Sequence, residues 1–289
     1  MPIPQSVRVI DTLIGFRGKA NIRPIAAMRE SDRVHDHPAG YMFNNVPPAF
    51  DQALPPEESI AETLALMDEH NIATGLVSLS DPMTRIALKK HPGRFIASLP
   101  VDGNEGMGAV EKIKQAVEEY DLRAVTTFPC GVLPQIPIDD KHWYPVYTKC
   151  CELKLPVFIA TGVPGPRVPM KPQHVELLDE VCYDFPDLNI VMRHGGEPWT
   201  DLAIKLMLKW PNLYYSTSGF APKYYPKAII DYANSRGANK LIYAGYFPFG
   251  IELGRTFSEL EQLQLKPEVW PKFLRGTAAR LLGPGLDDI

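Results

Sequence analysis

The segment NIVMRHGGEPW, residues 189–199, decides the fold of this chain. A short apolar run leads into a Gly-Gly pair, and helical spacing begins just after the segment. A buried strand that ends in a tight turn and is followed by a helix is typical of a βα unit. His194 then lies at the carboxyl end of the strand, which is the end where (β/α)8 barrels carry out chemistry.

The same alternation of strand and helix extends outward from this segment to both ends of the chain. Strand-like segments that are almost continuously apolar, as in strands buried on both faces, cover Val7–Gly15, Ile72–Ser80, Arg94–Asp102, Leu122–Cys130, Leu155–Gly162, Leu188–Gly196, Asn212–Phe220 and Lys240–Pro248. A helical pattern follows each one, and no linker divides the chain. The pattern predicts a single (β/α)8 TIM barrel over residues 1–289 with an extra C-terminal helix; two doubly wound domains are the alternative.

One connection is much longer than the others. Residues 17–54, between the first strand and its helix, are polar and Pro-rich. Loops after barrel strands lie over the mouth, so this insertion is predicted to be a lid over the site or, alternatively, a subunit-interface arm. We expect a homodimer on the strength of the second possibility.

Composition excludes several classes of function. The net charge is −4 without a basic block, which argues against nucleic acid or an anionic membrane surface as a partner. No apolar run reaches the roughly 18 residues of a membrane span, and the N-terminus lacks a signal-peptide core. The four cysteines show no CxxC spacing. We therefore expect a cytoplasmic protein with reduced thiols and a small-molecule substrate.

Four segments together resemble the amidohydrolase-related family, the amidohydrolase 2 group that includes aminocarboxymuconate semialdehyde decarboxylase and the dihydroxybenzoate decarboxylases. VIDTLIGF (9–16) resembles the family's opening IDxHxH strand, and LPVFIATG (155–162) its fifth strand, which ends in His. IVMRHGG (190–196) resembles the sixth-strand HxG segment, and LIYAGYFPFG (241–250) resembles the closing FGSDYP segment. The resemblance implies a barrel enzyme, a hydrolase or a carbon–carbon lyase.

The resemblance also implies a divalent metal, whose ligands this sequence has mostly lost. The family's ligand positions fall on Leu13, Gly15, Ala160 and Tyr246, and His194 alone is retained. The chain is identified as a member of a subgroup that lacks most of the metal ligands, and we expect no metal and no other cofactor. The alternative is a metal such as zinc held by His35, His37 and His194.

Four residues are predicted to carry the chemistry. Strand alternation places Ile190, Met192 and His194 together on the inward face, where His194 could serve as a general acid or base. Tyr246, inward with Ile242 and Ala244, could donate to an oxyanion or fill the space left by the metal. Polar residues that could assist are Glu197, which orients His194 or caps a helix, and Asp11, which holds another group in place or bonds structurally.

Five further residues are predicted to bind substrate. Arg17 follows the first strand and could meet an anionic ligand. Arg193 could clamp a carboxylate, although alternation turns it away from His194. The small polar residues at strand ends are Thr161, Ser216 and Ser218. The alternative for all five is solvation or bonding to nearby backbone.

These predictions combine into one hypothesis about function. The chain would be a metal-independent amidohydrolase-like enzyme that hydrolyses, or cleaves by a lyase or decarboxylase reaction, a small carbonyl or carboxylate substrate. The alternative is a catalytically inactive binding or assembly protein on the same fold.

Overall fold

Eight parallel strands, hydrogen-bonded in chain order, form one curved sheet. In this computed structural model, which describes residues 3–4, 6–18, 25–33 and 54–286, the strands are β1 Val9–Asp11, β2 Ile72–Ser78, β3 Phe95–Val101, β4 Leu122–Thr127, β5 Val157–Ala160, β6 Ile190–Arg193, β7 Leu213–Ser216 and β8 Leu241–Ile242. The order and direction of the strands confirm the predicted TIM barrel.

Helices connect the strands and cover the outside of the sheet. They are α1 Pro56–Glu69, α2 Pro82–Lys90, α3 Met107–Tyr120, α4 Tyr144–Leu153, α5 Leu178–Asp184, α6 Thr200–Lys209, α7 Lys227–Ala233, α8 Leu253–Leu260 and α9 Thr277–Leu282. Asp81 caps α2, because its carboxylate accepts the amide N–H of Met83. No helix within the described ranges is long and apolar enough to cross a membrane.

The two end strands are shorter than predicted, and the barrel closes just beyond them. The amide of Gly15 donates to Phe247 O at 2.8 Å, and the amide of Tyr246 donates to Leu13 O at 3.0 Å. The strands end early because the buried carboxylate of Asp11 accepts the amides of Leu13 and Gly245, which therefore leave the regular ladder. The predicted strands 7–15 and 240–248 are thus wrong in length and right in position.

Two apolar layers build the core. Alternate strand residues fill the barrel interior, namely Ile10, Leu76, Ile96, Ala124, Phe158, Val191, Tyr214 and Ile242. The C-terminal helix α9 adds Ala278 and Leu282 to the same interior cluster. Arg123, at the start of β4, donates to Leu282 O and Pro284 O, which places α9 across the amino ends of the strands. That end is closed, so an interior site opens at the carboxyl ends.

The inward face of β6 differs from the prediction. Val191 belongs to the interior cluster, whereas Ile190 and Met192 pack in the layer between sheet and helices. Strand alternation therefore turns Arg193 inward, together with Val191. The prediction that Ile190 and Met192 share an inward face was wrong, and so was the outward placement of Arg193. Both faces of this strand are apolar, so its pattern did not distinguish them.

The described part of the long insertion reaches the far side of the barrel. Ala27 donates its amide to Gly131 O after β4, and Asp32 forms an ion pair with Arg167 after β5. Residues 25–33 thus contact loops roughly opposite β1. The histidines of the alternative metal site, His35 and His37, lie outside the described residues.

Candidate functional site

The inward residues that follow the interior-cluster residue of each strand by two positions are small and mostly uncharged. They are Ser78, Ser98, Thr126, Ala160, Arg193 and Ser216, one from each of β2 to β7. Five of these six side chains are a methyl group or a small hydroxyl side chain, and the sixth is a guanidinium. Among these six described residues, Arg193 is therefore the one cation, and its neighbours are methyl and hydroxyl side chains.

His194 reaches this mouth through an unusual backbone conformation. Its φ is +67°, and that of the following Gly195 is +72°. A non-glycine residue in this left-handed region is strained by roughly 1–3 kcal/mol, and such residues cluster at functional sites. The two successive left-handed residues break the alternation of β6. Arg193 and His194 can therefore both contribute to the mouth although they are neighbours.

A hydrogen-bond chain fixes the His194 ring. Ser216 Oγ donates to Ser218 Oγ at 3.4 Å, and the amide of His194 donates to the same Ser218 oxygen at 3.0 Å. Ser218 Oγ lies 3.0 Å from Nδ1 of His194. With two bonds already accepted, the Ser218 hydroxyl has its own proton left to donate to Nδ1. The proton of the neutral ring is then on Nε2, for which no hydrogen-bond partner exists among the described residues.

The surroundings of His194 keep its ring neutral. Burial lowers its pKa to about 3, with a further lowering by the positive charge of Arg193 that outweighs the opposite effect of Ser218. Both burial and the charge of Arg193 disfavour the imidazolium form. At neutral pH the ring is a hydrogen-bond donor through Nε2.

Tyr246 lies directly against this ring. The two ring centroids are 5.4 Å apart with an interplanar angle of 84°, an edge-to-face contact. The backbone of Tyr246 is also left-handed, with φ +62°. Burial raises the pKa of its phenol, and the charge of Arg193 lowers it by less. Tyr246 is therefore protonated at neutral pH and can donate its O–H.

Arg193 supplies the only charge of the inward layer. Its side chain is partly buried. Burial lowers the pKa of its guanidinium, and the nearby Tyr246 opposes that shift. Over the described ranges no carboxylate lies within ion-pair distance of it. The structure thus brings Arg193, His194 and Tyr246 together at one side of the mouth.

Two of the predicted residues support the turn after β6 from behind. Thr161 donates its hydroxyl to Gly195 O, and its amide donates to Arg193 O at 3.1 Å. Glu197 presents its backbone oxygen to the amide of Val163 at 2.9 Å. Its Oε1 atom is buried without a hydrogen-bond partner in the described structure, and burial raises its pKa. Nδ1 of His194 is bonded to Ser218 and not to Glu197.

Asp11 lies on the outer face of the sheet. Val9, two residues earlier, packs between sheet and helices, whereas Ile10 points into the barrel. Oδ1 of Asp11 accepts the amides of Gly245 at 2.9 Å and Leu13 at 3.0 Å. Burial raises its pKa to about 7 despite these two bonds. The structure therefore gives Asp11 the structural bond that the sequence left as one of two alternatives.

Arg17 is already neutralised by the protein. Nε donates to Glu62 at 2.9 Å and Nη2 donates to Glu252 at 2.6 Å. The guanidinium carbon also lies 4.9 Å from the ring centre of Phe247. These contacts tie α1 to the chain before α8. They leave Arg193, rather than Arg17, as the cation with capacity for an anionic ligand.

The positions implied as metal ligands do not fit a divalent cation. Leu13, Gly15 and Ala160 offer no ligand atom in their side chains. A Cβ built on Gly15 would lie 2.9 Å from Cζ of Phe249, so the ring of Phe249 occupies the space that a histidine there would need. Within the described ranges no three His, Cys, Asp or Glu residues are grouped as a metal would require. The expected absence of a cofactor stays a prediction.

Sequence reasoning missed two features of the site. Phe249 was not singled out, although a glycine at a ligand position and a nearby PFG segment were its visible signals. The hydroxyl layer of Ser78, Ser98 and Thr126 was also missed. Ser78 and Thr126 lie near the end of an apolar run, where a polar side chain at an inward position is a signal of a mouth.

Comparison with solved structures supports the fold. An uncharacterised TIM-barrel protein from Bordetella bronchiseptica is 23% identical, with a TM-score of 0.77 and coverage of 95% of this chain and 98% of that chain. A 5-carboxyvanillate decarboxylase from Novosphingobium aromaticivorans, complexed with manganese, is 16% identical, with a TM-score of 0.71 and coverage of 96% and 97%. A 4-oxalomesaconate hydratase from Rhodopseudomonas palustris is 16% identical, with a TM-score of 0.61 and coverage of 95% of both chains.

Comparison with family models identifies the chain more directly. No curated protein matches it. The model described as "Amidohydrolase" matches residues 32–283, which is most of the chain. This match confirms the resemblance that the strand-end segments indicated, whereas the ligand-poor subgroup stays a prediction. The chain belongs to the amidohydrolase family.

Proposed function

We propose that this chain is an enzyme that acts on a small carbonyl or carboxylate substrate without a resident metal. The reaction would be a hydrolysis or a carbon–carbon cleavage of the lyase or decarboxylase type. The observation that carries this proposal is geometric: Nδ1 of His194 is bonded to Ser218, which directs Nε2 away from the fold, and the His194 ring lies edge-to-face against Tyr246.

These two groups suit a reaction in which negative charge develops on oxygen. When a carbonyl is attacked, or when a bond next to it breaks, electrons move onto its oxygen. Fixed donors at that oxygen stabilise the transition state more than the ground state, because they need no reorganisation as the charge forms. His194 Nε2–H and the Tyr246 O–H are such donors. Their proposed role is electrophilic assistance, in place of the acid–base role that the sequence suggested for His194.

The support around the two donors explains why they would be effective. Thr161 and Ser218 bind the backbone and ring at the turn after β6, so His194 is held before substrate arrives. Residues 25–33, which contact the loops after β4 and β5, belong to the insertion proposed as a lid. A lid that excludes water strengthens each hydrogen bond to a charged oxygen.

Turnover by matched histidine variants tests the proposal. Purified wild-type protein is assayed for metal content and then against a panel of aryl esters, anilides, and aromatic and β-keto carboxylates. His194→Ala should lower turnover by about 10²–10³-fold, and His194→Gln should lose less because its amide can still donate. His142→Ala, at an exposed histidine bonded to Asp140, is the control and should be unchanged.

The pH profile separates a neutral donor from a general acid or base. A neutral donor predicts no inflection near pH 6.5, the ordinary pKa of histidine. An inflection there that His194→Gln removes would contradict the donor role. Stoichiometric zinc or manganese whose removal abolishes turnover would contradict metal independence. Binding of panel members without turnover of any would instead favour a noncatalytic binding protein.

A further inference from the structure

The geometry points to an anion subsite at the carboxyl end of β6, in which the guanidinium of Arg193 binds a single carboxylate of the ligand. This inference rests on the proposed function for its place in an active site, while its test measures binding alone. It assigns to an arginine the positive charge that a metal ion would otherwise supply at this mouth.

The first support is the placement of the charge. Arg193 shares the inward face with Val191 and lies in a layer of methyl and hydroxyl side chains. On β5, Arg193 pairs in register with Ala160. On β7, the residue before it, Met192, pairs with Tyr215. No described carboxylate faces it. A partly buried cation without an anion is unfavourable, and a bound anion would remove that penalty.

The contrast with three other arginines of the chain is the second support. Arg17 contacts two carboxylates, Arg94 contacts Asp68, and Arg255 contacts Glu259. Arg193 is more enclosed than most surface arginines and yet lacks such a partner within the described ranges. Its capacity for hydrogen bonds is directed toward the mouth rather than toward the fold.

The number and kind of neighbouring donors favour a carboxylate over a phosphate. A guanidinium matches the two oxygens of a carboxylate with two parallel hydrogen bonds. His194 and Tyr246, beside it, are neutral, so the described site offers one positive charge. One charge balances a monoanion, whereas a phosphate dianion would keep an uncompensated charge. The two neutral donors then serve a second oxygen of the same ligand.

Calorimetric titration with isosteric probes tests the subsite. Benzoate, acetate and propionate are compared with benzamide, a neutral molecule of the same shape as benzoate, and with inorganic phosphate. We expect at least one of the three carboxylates to bind wild-type protein, and benzamide and phosphate to bind more weakly or not at all. Arg193→Gln should weaken carboxylate binding by on the order of 10- to 100-fold, and Arg193→Lys by less.

A matched variant and a stability measurement show whether a loss of carboxylate affinity comes from a general change in charge or from misfolding. Arg255→Gln removes one positive charge from α8, where Arg255 pairs with Glu259, and should leave carboxylate affinity unchanged. Arg193→Gln should unfold at the same or a higher temperature without ligand, because it removes an uncompensated charge. A lower affinity is then not the result of misfolding.

Several outcomes would overturn the subsite. Equal affinity of benzoate for wild-type and Arg193→Gln protein would do so, as would equal binding of benzamide and benzoate, tighter binding of phosphate, or binding of none of the three carboxylates. Binding without turnover of any substrate would leave the subsite intact and contradict the proposed function. Turnover of carboxylate substrates that Arg193→Gln does not change would contradict the subsite alone.

Discussion

The two ends of this barrel use arginine in opposite ways. At the closed end, Arg123, Arg275 and Arg280 donate to backbone oxygens of Leu282, Arg8 and Asn239, and so tie the C-terminal segment to the ends of the strands. At the open end, Arg193 has no carboxylate partner in the described ranges. The difference teaches that the fold binds arginines to backbone oxygens where it needs stability, and that the described residues offer Arg193 no carboxylate where a ligand can enter.

The largest expected effect is a loss of stability at the closed end of the barrel. Leu282→Ala removes a side chain that is 2% exposed from the interior cluster formed by α9. We expect the free energy of unfolding to fall by about 2–5 kcal/mol, because a cavity remains where the leucine packed. Denaturant titration measures it. Carboxylate affinity at the mouth should stay the same, and a loss of affinity as large as that of Arg193→Gln would show that the two ends are not independent.

A pH effect of similar size comes from Asp11, at the seam between β1 and β8. Its Oδ2 atom is buried without a partner in the described structure, and a Cβ on Gly245 would clash with it. Burial raises the pKa to about 7 from 3.8. The folded state then holds a proton that the unfolded chain releases, so the stability contributed by protonated Asp11 is present below pH 3.8 and is lost as the pH rises to about 7.

The measurement is the difference in unfolding free energy between wild type and Asp11→Asn across that range. The difference should change by up to about 4 kcal/mol against wild type as the pH rises from 4 to 7, since one pKa unit corresponds to about 1.4 kcal/mol. It should then stay level above pH 8. Asp68→Asn, at an exposed ion pair with Arg94, is the control. A difference that is independent of pH would show that Asp11 is ionised in the folded protein.

The sequence predicted the barrel well because the evidence for it is repeated along the chain. Eight apolar runs, each followed by a helical pattern, leave few alternatives even when individual ends shift by several residues. The site depends on features that occur once. The left-handed backbone of His194 could not be predicted, because glycine is the residue that normally indicates this conformation in a sequence and this position holds a histidine. The faces of β6 are equally apolar, so alternation could group Val191 with Arg193 but could not say which way they point.

The ligand positions show the opposite limit. Leu13, Gly15 and Ala160 could be identified as altered from the resemblance, because their side chains carry no ligand atom. What replaced the ligands could not be read, because Phe249 reaches the space at Gly15 from across the closure between the first and last strands. A contact between residues more than 200 positions apart in sequence is a product of the fold and is visible only once the barrel has closed.

The smallest expected effect sharpens the comparison at the mouth itself. Ser218→Ala removes the hydroxyl that bonds Nδ1 of His194 and that accepts its amide. The ring would keep its place beside Tyr246 but lose control of which nitrogen carries the proton. We expect turnover to fall by about 10-fold, consistent with the loss of one or two ordinary hydrogen bonds at about 1 kcal/mol each, with carboxylate affinity unchanged because Arg193 is untouched. Ser216→Ala, one bond further along the same chain, should have a smaller effect on turnover. Equal turnover by Ser218→Ala and wild-type protein would show that the orientation of His194 does not depend on this chain, and the donor role would then have to rest on Tyr246 alone.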